Sequence, residues 1–369
     1  MPGRRITGTL VAGLVLAASG IAWAGQPPPA SASGSGVSGS RAGGSGAAGA
    51  RARPAALHVA GTAVVLPHAT LTSAFTQAPD GAVYYSAGRR IYLAGTPAAK
   101  VVARGTVLAL GATAAGLFAA VGQTVTEYRR TTGATVAAWT LRASYRKVAW
   151  AGLYPAGSRV WAITDDNCDT CGLEYGNVYW FSTSAAAVHR VSAGTAYPDF
   201  AAATRSGLYY QASTSAGSYL VRARPAGAAR RAANSYLFGP PAVSGRTVAL
   251  LLHHFGKHAG QYLYGYRAGS LQRIFTRHVP ASERDIAGTG AGLLALLAAC
   301  ASYSCPTAKV SLLAAASGAT ISTVAVPDAL SLLTGPSAVV LTYSGGTFRM
   351  ERLATSRRQA PVRWRHSAR

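Results

Sequence analysis

Between Gly81 and Ala360, short runs of Val, Leu, Tyr, Phe and Trp alternate with clusters of Gly, Ser and Pro. β-Branched and aromatic residues favour strands, and the intervening clusters supply turns. No stretch carries a long helical period with capping residues. The runs recur as one unit: an apolar, aromatic-rich strand, a short turn, a second strand and a return marked by glycine. The first copy is Gly81-Ala-Val-Tyr-Tyr-Ser-Ala-Gly, followed by Arg90-Ile-Tyr-Leu-Ala-Gly. Later copies open at Gly116, Ser158, Gly207, Gly245, Gly292 and Ser337, in steps of 35, 42, 49, 38, 47 and 45 residues. A period near ~43 residues lies within the blade length of radially repeated β architectures.

In the second unit the pattern predicts strands at Val107–Ala112, Gly116–Val121, Val125–Arg129 and Thr135–Leu141. In the third it predicts Val148–Leu153, Arg159–Thr164, Asn177–Ser182 and Val188–Val191. The last unit, from Asp328, has strands at Val339–Tyr343 and Phe348–Leu353 and lacks a clear fourth. Four strands per unit and about seven units predict an all-β fold, a β-propeller of seven four-stranded blades. A pair of β-sandwiches is the alternative, but it has no need of this period. Leu57–Leu66 precedes the first unit and is strand-like; it is expected to complete the last blade and close the ring, with Pro361–Trp364 as the other segment able to fill that place.

Leu117-Phe118-Ala119, then Tyr128-Arg-Arg-Thr-Thr-Gly133-Ala134, then Trp139 resembles the repeat of quinoprotein-like (PQQ-like) and WD40-like propellers. There a strand, an aromatic-bearing strand, a Thr-Gly turn and a Trp follow in this order. Ala316-Ser317-Gly318-Ala319-Thr320 is a weaker echo. The resemblance implies the fold and no particular activity. Quinoprotein dehydrogenases use vicinal cysteines, and this chain has no Cys-Cys dipeptide.

The ends of the chain add location. Met1–Arg5 carries two arginines, Ile6–Ile21 is apolar and Ala22-Trp23-Ala24 is an A-x-A cleavage site, so residues 1–24 read as an export signal. An uncleaved anchor retaining the protein at the cell surface is the alternative, because Ile6–Ala24 just reaches spanning length. Residues 25–54 are Gly-, Ser-, Ala- and Pro-rich and read as a flexible tether, leaving 55–369 as the propeller domain. Charge is lopsided, with 35 Lys plus Arg against 11 Asp plus Glu. Such a balance fits either attraction to an anionic polymer or the Arg- and Ala-heavy usage of a GC-rich genome. No basic run coincides with the motif of a sequence-specific nucleic-acid module. The cysteines form two local pairs, Cys168/Cys171 and Cys300/Cys305. In an exported chain these read as disulfides, with a four-Cys zinc site as the alternative.

Propeller topology assigns faces. Connections after the second strand and after the fourth emerge together. The segments Asp165–Gly176, Ser213–Ser218, His253–Gln261 and Cys300–Thr307 read as long insertions of the first kind, which marks that face as the working one. Arg104 and Arg142, near fourth strands, are read as lying on the opposite face. Acidic residues are scarce, and Asp165, Asp166, Asp169 and Glu174 crowd one insertion, where oxygen ligands suit calcium. Asp199, Glu283, Asp285 and Asp328 fall near starts of innermost strands, ringing the channel mouth, where carboxylates can hold a cation, an amine or sugar hydroxyls or simply cap turns. His254 with His258 has the makings of a transition-metal pair or of ordinary loop histidines. Tyr197 and Tyr303 lie in or near the same loops, placed to stack a sugar or peptide. There is no nucleophile elbow, H-E-x-x-H or P-loop in the folded part. These features lead to an exported, non-enzymatic, monomeric propeller that binds a protein, glycan or cell-wall ligand through the insertion face, without a resident metal or other cofactor. A lyase or glycoside-active propeller using the channel-mouth carboxylates is the alternative.

Overall fold

The computed structural model describes residues 56–140, 148–167, 174–182, 188–214, 217–225, 230–234, 236–237, 240–254, 259–300 and 304–356. The first strand, β1 (Ala56–Val65), belongs to the last blade. Blade 1 is β2 (Phe75–Gln77), β3 (Val83–Ala87), β4 (Arg90–Leu93) and β5 (Ala99–Val102). Blade 2 is β6 (Ala109–Ala112), β7 (Gly116–Val121), β8 (Thr124–Arg129) and β9 (Thr135–Thr140). Blade 3 contains β10 (Val148–Ala156), β11 (Arg159–Asn167), β12 (Glu174–Ser182) and the first part of β13 (Val188–Thr204). Blade 4 takes the second part of β13, then β14 (Gly207–Thr214), β15 (Gly217–Ala223) and β16 (Arg230–Asn234). Blade 5 has β17 (Tyr236–Leu237) and β18 (Ala242–Ser244) sharing the innermost position, then β19 (Thr247–His254), β20 (Gly260–Arg267) and β21 (Arg273–Val279). Blade 6 is β22 (Glu283–Thr289), β23 (Gly292–Leu297), β24 (Lys309–Leu313) and β25 (Thr320–Ala325). Blade 7 is β26 (Ala329–Leu333), β27 (Ala338–Ser344), β28 (Thr347–Ser356) and, outermost, β1.

The result is an all-β propeller of seven four-stranded antiparallel blades. Every expected opening, from Gly81 to Ser337, falls at or just before the second strand of a blade. The expected strands of the second unit match β6–β9 to within about two residues. One boundary differs. The outer strand of blade 3 and the inner strand of blade 4 are one run of 17 residues, β13. Its pairing shifts register between Ala196 and Ala201, so the strand changes partners without a turn. At the chain's start, β1 runs antiparallel to β28, with Ala56 opposite Ser356 and Val65 opposite Arg349.

Seven clusters of buried apolar residues lie one at each blade-to-blade junction, including that between blades 7 and 1. The core is therefore a set of wedges between sheets. Trp139 shows how the repeat builds one. It lies 2% exposed on β9 and stacks on Phe181 of the next blade at 4.6 Å. The Thr-Gly turn before it needs glycine: Gly133 has φ +75 and its N–H donates to the Arg129 carbonyl at 2.7 Å. Between blades 1 and 2, Arg130 joins Asp80 at 2.6 Å and donates to the Tyr84 hydroxyl at 3.2 Å.

Candidate functional site

Successive strands of an antiparallel blade reverse direction, so turns after second and fourth strands share one face and turns after first and third strands share the other. On the second face the described connections are short, from 157–158 to 314–319. On the first face they run from the tight turn at 88–89 to the 298–308 connection between β23 and β24. Part of the expected extra length is strand. Ser213–Ser218, expected as an insertion loop, is largely paired strand: Ser213 pairs with Ser218 and Thr214 with Gly217. Here backbone pairing overrides the polar, Gly- and Ser-rich composition that suggested a loop. The placement of Arg104 is also corrected. It lies in the 103–108 connection after a fourth strand, hence on the insertion face, while Arg142 lies outside the described residues.

The 298–308 connection is the most built feature of this face. Cys300 and Cys305 form a disulfide across it, with Cα atoms 5.4 Å apart. Cys305 is 1% exposed and belongs to the wedge between blades 6 and 7, so the staple is anchored in core. Ala298 N–H donates to the Ser282 carbonyl at 2.8 Å, and the Arg284 guanidinium donates to the Cys300 carbonyl. On the other side Asp328, in the left-handed region at φ 59, accepts from Ser304 Oγ at 2.6 Å and donates its own N–H to the Cys305 carbonyl at 2.8 Å. Hydrogen bonds from Ser304 and Ser344 hold the Asp328 carboxyl below the usual carboxylate range. The loop is thus fixed to the starts of β22 and β26 together.

Asp285 lies on β22 and turns to the neighbouring blade. Its Oδ2 accepts from Ser331 Oγ at 3.1 Å and from Leu332 N–H at 2.8 Å. Burial nonetheless pushes its carboxyl up to about 6. Glu283, two residues earlier, is 1% exposed, and its Oε1 has no hydrogen-bond partner. Burial pushes this carboxyl up to about 7, with Arg277 acting weakly in the other direction. Asp285 and Asp328 therefore act as joints between blades, a role that sequence separations of 46 and 24 residues conceal.

His254 is the last residue of β19. Its Nε2 and the Tyr264 hydroxyl are 3.0 Å apart, and the Tyr262 ring stands edge-on to it at 5.0 Å. Tyr262 also meets His278 edge-on at 5.1 Å. His278 was not singled out from the sequence; register across β20 and β21 brings it near, a non-local relation. Among the described residues no group of three or more His, Cys, Asp or Glu side chains could hold a metal. Asp166 and Glu174 end the β11–β12 hairpin, and Tyr197 and Asp199 lie on β13, described as backbone. Asp199 thus sits in the innermost strand of blade 4, as expected. Asp169, His258, Tyr303, Cys168 and Cys171 lie outside the described residues, and with them the core of the calcium expectation and the second disulfide.

No protein-family model and no curated relative matches the chain. Solved propellers do. The β-propeller domain of Cps50 (Swd1) from Myceliophteria thermophila superimposes with a TM-score of 0.54 at 9% identity, covering 78% of this chain and 98% of that one. The WD40 domain of Neurospora crassa Pan2 superimposes with a TM-score of 0.53 at 7% identity, covering 76% and 88%. At such identities the likeness concerns architecture, and by architecture this chain is a seven-bladed β-propeller of the WD40-like kind.

Proposed function

We propose that the protein is an exported, non-enzymatic binding propeller that takes a protein or cell-wall glycan ligand on the face carrying the 298–308 connection. The observation that carries this reading is the one-sidedness of the fold: connections vary in length and carry a staple on one face and stay short on the other. Variable loops on a rigid scaffold are where binding surfaces are built. Asp165, Asp166, Asp169, Glu174, Asp199, Glu283, Asp285 and Asp328 belong to segments that reach this face; Asp80, Glu127 and Glu351 complete the chain's acids. In a chain with net charge +24 that concentration favours a ligand bearing amines or hydroxyls. Ala56 and Ser356 pair at the opposite end of blade 7, so the described chain begins and ends away from the insertion face. A protein held by its N-terminus would then present that face outward.

The catalytic alternative would draw on Glu283 and Asp285, whose carboxyls are both raised. Glu283 is sealed from solvent and Asp285 is spent on β26, so neither is presented to a substrate. The test is an array of cell-wall glycans and peptides probed with the mature chain and with Asp→Asn variants at 166, 169 and 199. A broken charge-assisted hydrogen bond should cost about 1–3 kcal/mol. Arg159→Ala, at the start of β11, and Arg246→Ala, in the turn between β18 and β19, both at the other face, are the controls. If the acidic variants bind normally while the arginine variants do not, the site is a basic surface for an anionic polymer and the face is wrongly assigned.

A further inference from the structure

A second, independent site lies in the channel wall. A cavity of about 250 Å³ is lined by the innermost strands of blades 7, 1, 2 and 3 and by the connection from β1 to β2. Its surface is mainly apolar, with Leu71, Phe75, Leu108, Leu153, Leu330 and Phe348 contributing most of the bulk. The space is about half open, a recess in the channel wall and not a sealed void. Its walls are fixed. The β1–β2 connection is tied down by Leu66 N–H to the Phe348 carbonyl at 2.9 Å, Tyr85 hydroxyl to the Pro67 carbonyl at 3.1 Å, and Ala74 N–H to Ser86 Oγ at 2.9 Å. At Gly152 a Cβ would fall 2.5 Å from the Tyr154 hydroxyl, so glycine lets that phenol fold back over the strand and leaves the space open. Leu330 and Tyr154 are partly exposed, which gives the cavity a mouth.

In the wall Ser73 Oγ accepts from Thr70 N–H at 2.9 Å, and Ser331 is oriented the other way. Ser331 Oγ donates its proton to Asp285, so it offers only lone pairs to the cavity. We propose that this cavity binds a small uncharged molecule, an aromatic ring with a short substituent and one hydroxyl, whose proton is accepted by Ser331. The recess, about 250 Å³, has room for a substituted ring. The apolar walls take the ring, and the Ser331 acceptor meets the hydroxyl.

The experiment titrates the mature chain with p-cresol and with toluene, read by calorimetry and by saturation-transfer NMR. Saturable p-cresol binding, about 3–10-fold tighter than toluene, is expected from one net hydrogen bond. Leu330→Trp fills the space and should abolish binding of both. Gly152→Ala, which drives the phenol of Tyr154 into the cavity, should weaken p-cresol several-fold and serves if the tryptophan variant does not fold. No saturable binding of either probe, or p-cresol binding unchanged in the filled variant, overturns the site. Equal binding of the two probes overturns the hydroxyl-bearing class.

Discussion

Replacing Glu283 with Gln should stabilise the protein, and by an amount that depends on pH. The side chain is 1% exposed, Oε1 has no partner, and burial pushes its carboxyl from 4.5 to about 7. An acid whose pKa is raised in the folded state binds its proton more tightly there than when unfolded. Below the unfolded pKa both states hold the proton, and the group is neutral in its effect. As pH rises from 4.5 towards 7, the unfolded chain ionises and the folded one resists, so stability falls across that window and levels off above it. At about 1.4 kcal/mol per pKa unit, the full shift is worth on the order of 3 kcal/mol. Glutamine keeps the shape and cannot ionise. The variant should therefore match wild type near pH 4 and exceed it by on the order of 3 kcal/mol at pH 8, or roughly 6 °C in melting temperature for a domain of this size. Urea titrations at half-unit intervals from pH 4 to pH 8 give the difference directly. A gap between the two proteins that stays constant with pH would refute the reasoning, because it would show that the carboxyl carries no folding-linked proton.

Leu66 is 2% exposed in the wedge between blades 7 and 1, so Leu66→Ala should cost about 2–5 kcal/mol by chemical denaturation. A chain starting after Leu66 should melt well below one starting after Pro54, and equal melting temperatures would show that β1 adds nothing to blade 7. The Cys300–Cys305 bridge spans a separation of only 5 residues, so replacing both cysteines with serine should cost about 2 kcal/mol. Unreduced peptide mapping should recover that bridge together with Cys168–Cys171, and a Cys168–Cys300 link would contradict their placement on blades 3 and 6. Asp328→Asn tolerates the left-handed backbone but removes the charged acceptor of Ser304; amide exchange should quicken at 304–308 and remain unchanged in blade 2. Unchanged protection there would mean the aspartate does not hold the stapled loop.

Repetition made the architecture readable. A blade is local: Gly116–Val121, Thr124–Arg129 and Thr135–Thr140 follow each other within one hairpin chain, and the continuous apolar run of Gly116–Val121 is buried along nearly its whole length. Trp139 and Gly133 carry their roles in their residue types, one as a wedge filler and one as a left-handed turn. What escaped was relational. Composition at Ser213–Ser218 favours a loop, yet it is largely paired strand. The continuity of β13 depends on partners on both sides, which no local pattern encodes. Asp285 and Asp328 looked alike as channel-mouth acids, and only the neighbouring blade reveals that each already has an internal partner.

This last point bears on how a ring of blades builds function. An inner strand has one neighbour through its own sheet and another through the adjoining blade, so a polar side chain at its start is available to hold the ring together. Here blade 6 meets blade 7 through Asp285 on β26 and through the stapled connection on Asp328. Acids spent in this way support the face without being its ligand contacts. The contacts proper should then come from groups other than these joints. The same reasoning explains why the channel cavity opens where it does. Along blades 7, 1, 2 and 3 the wall carries mainly leucine and phenylalanine, over wedges closed by burial. Apolar closure leaves a hole that a small molecule can fill, whereas polar closure at blade 6 leaves a rigid rim on which loops can be displayed.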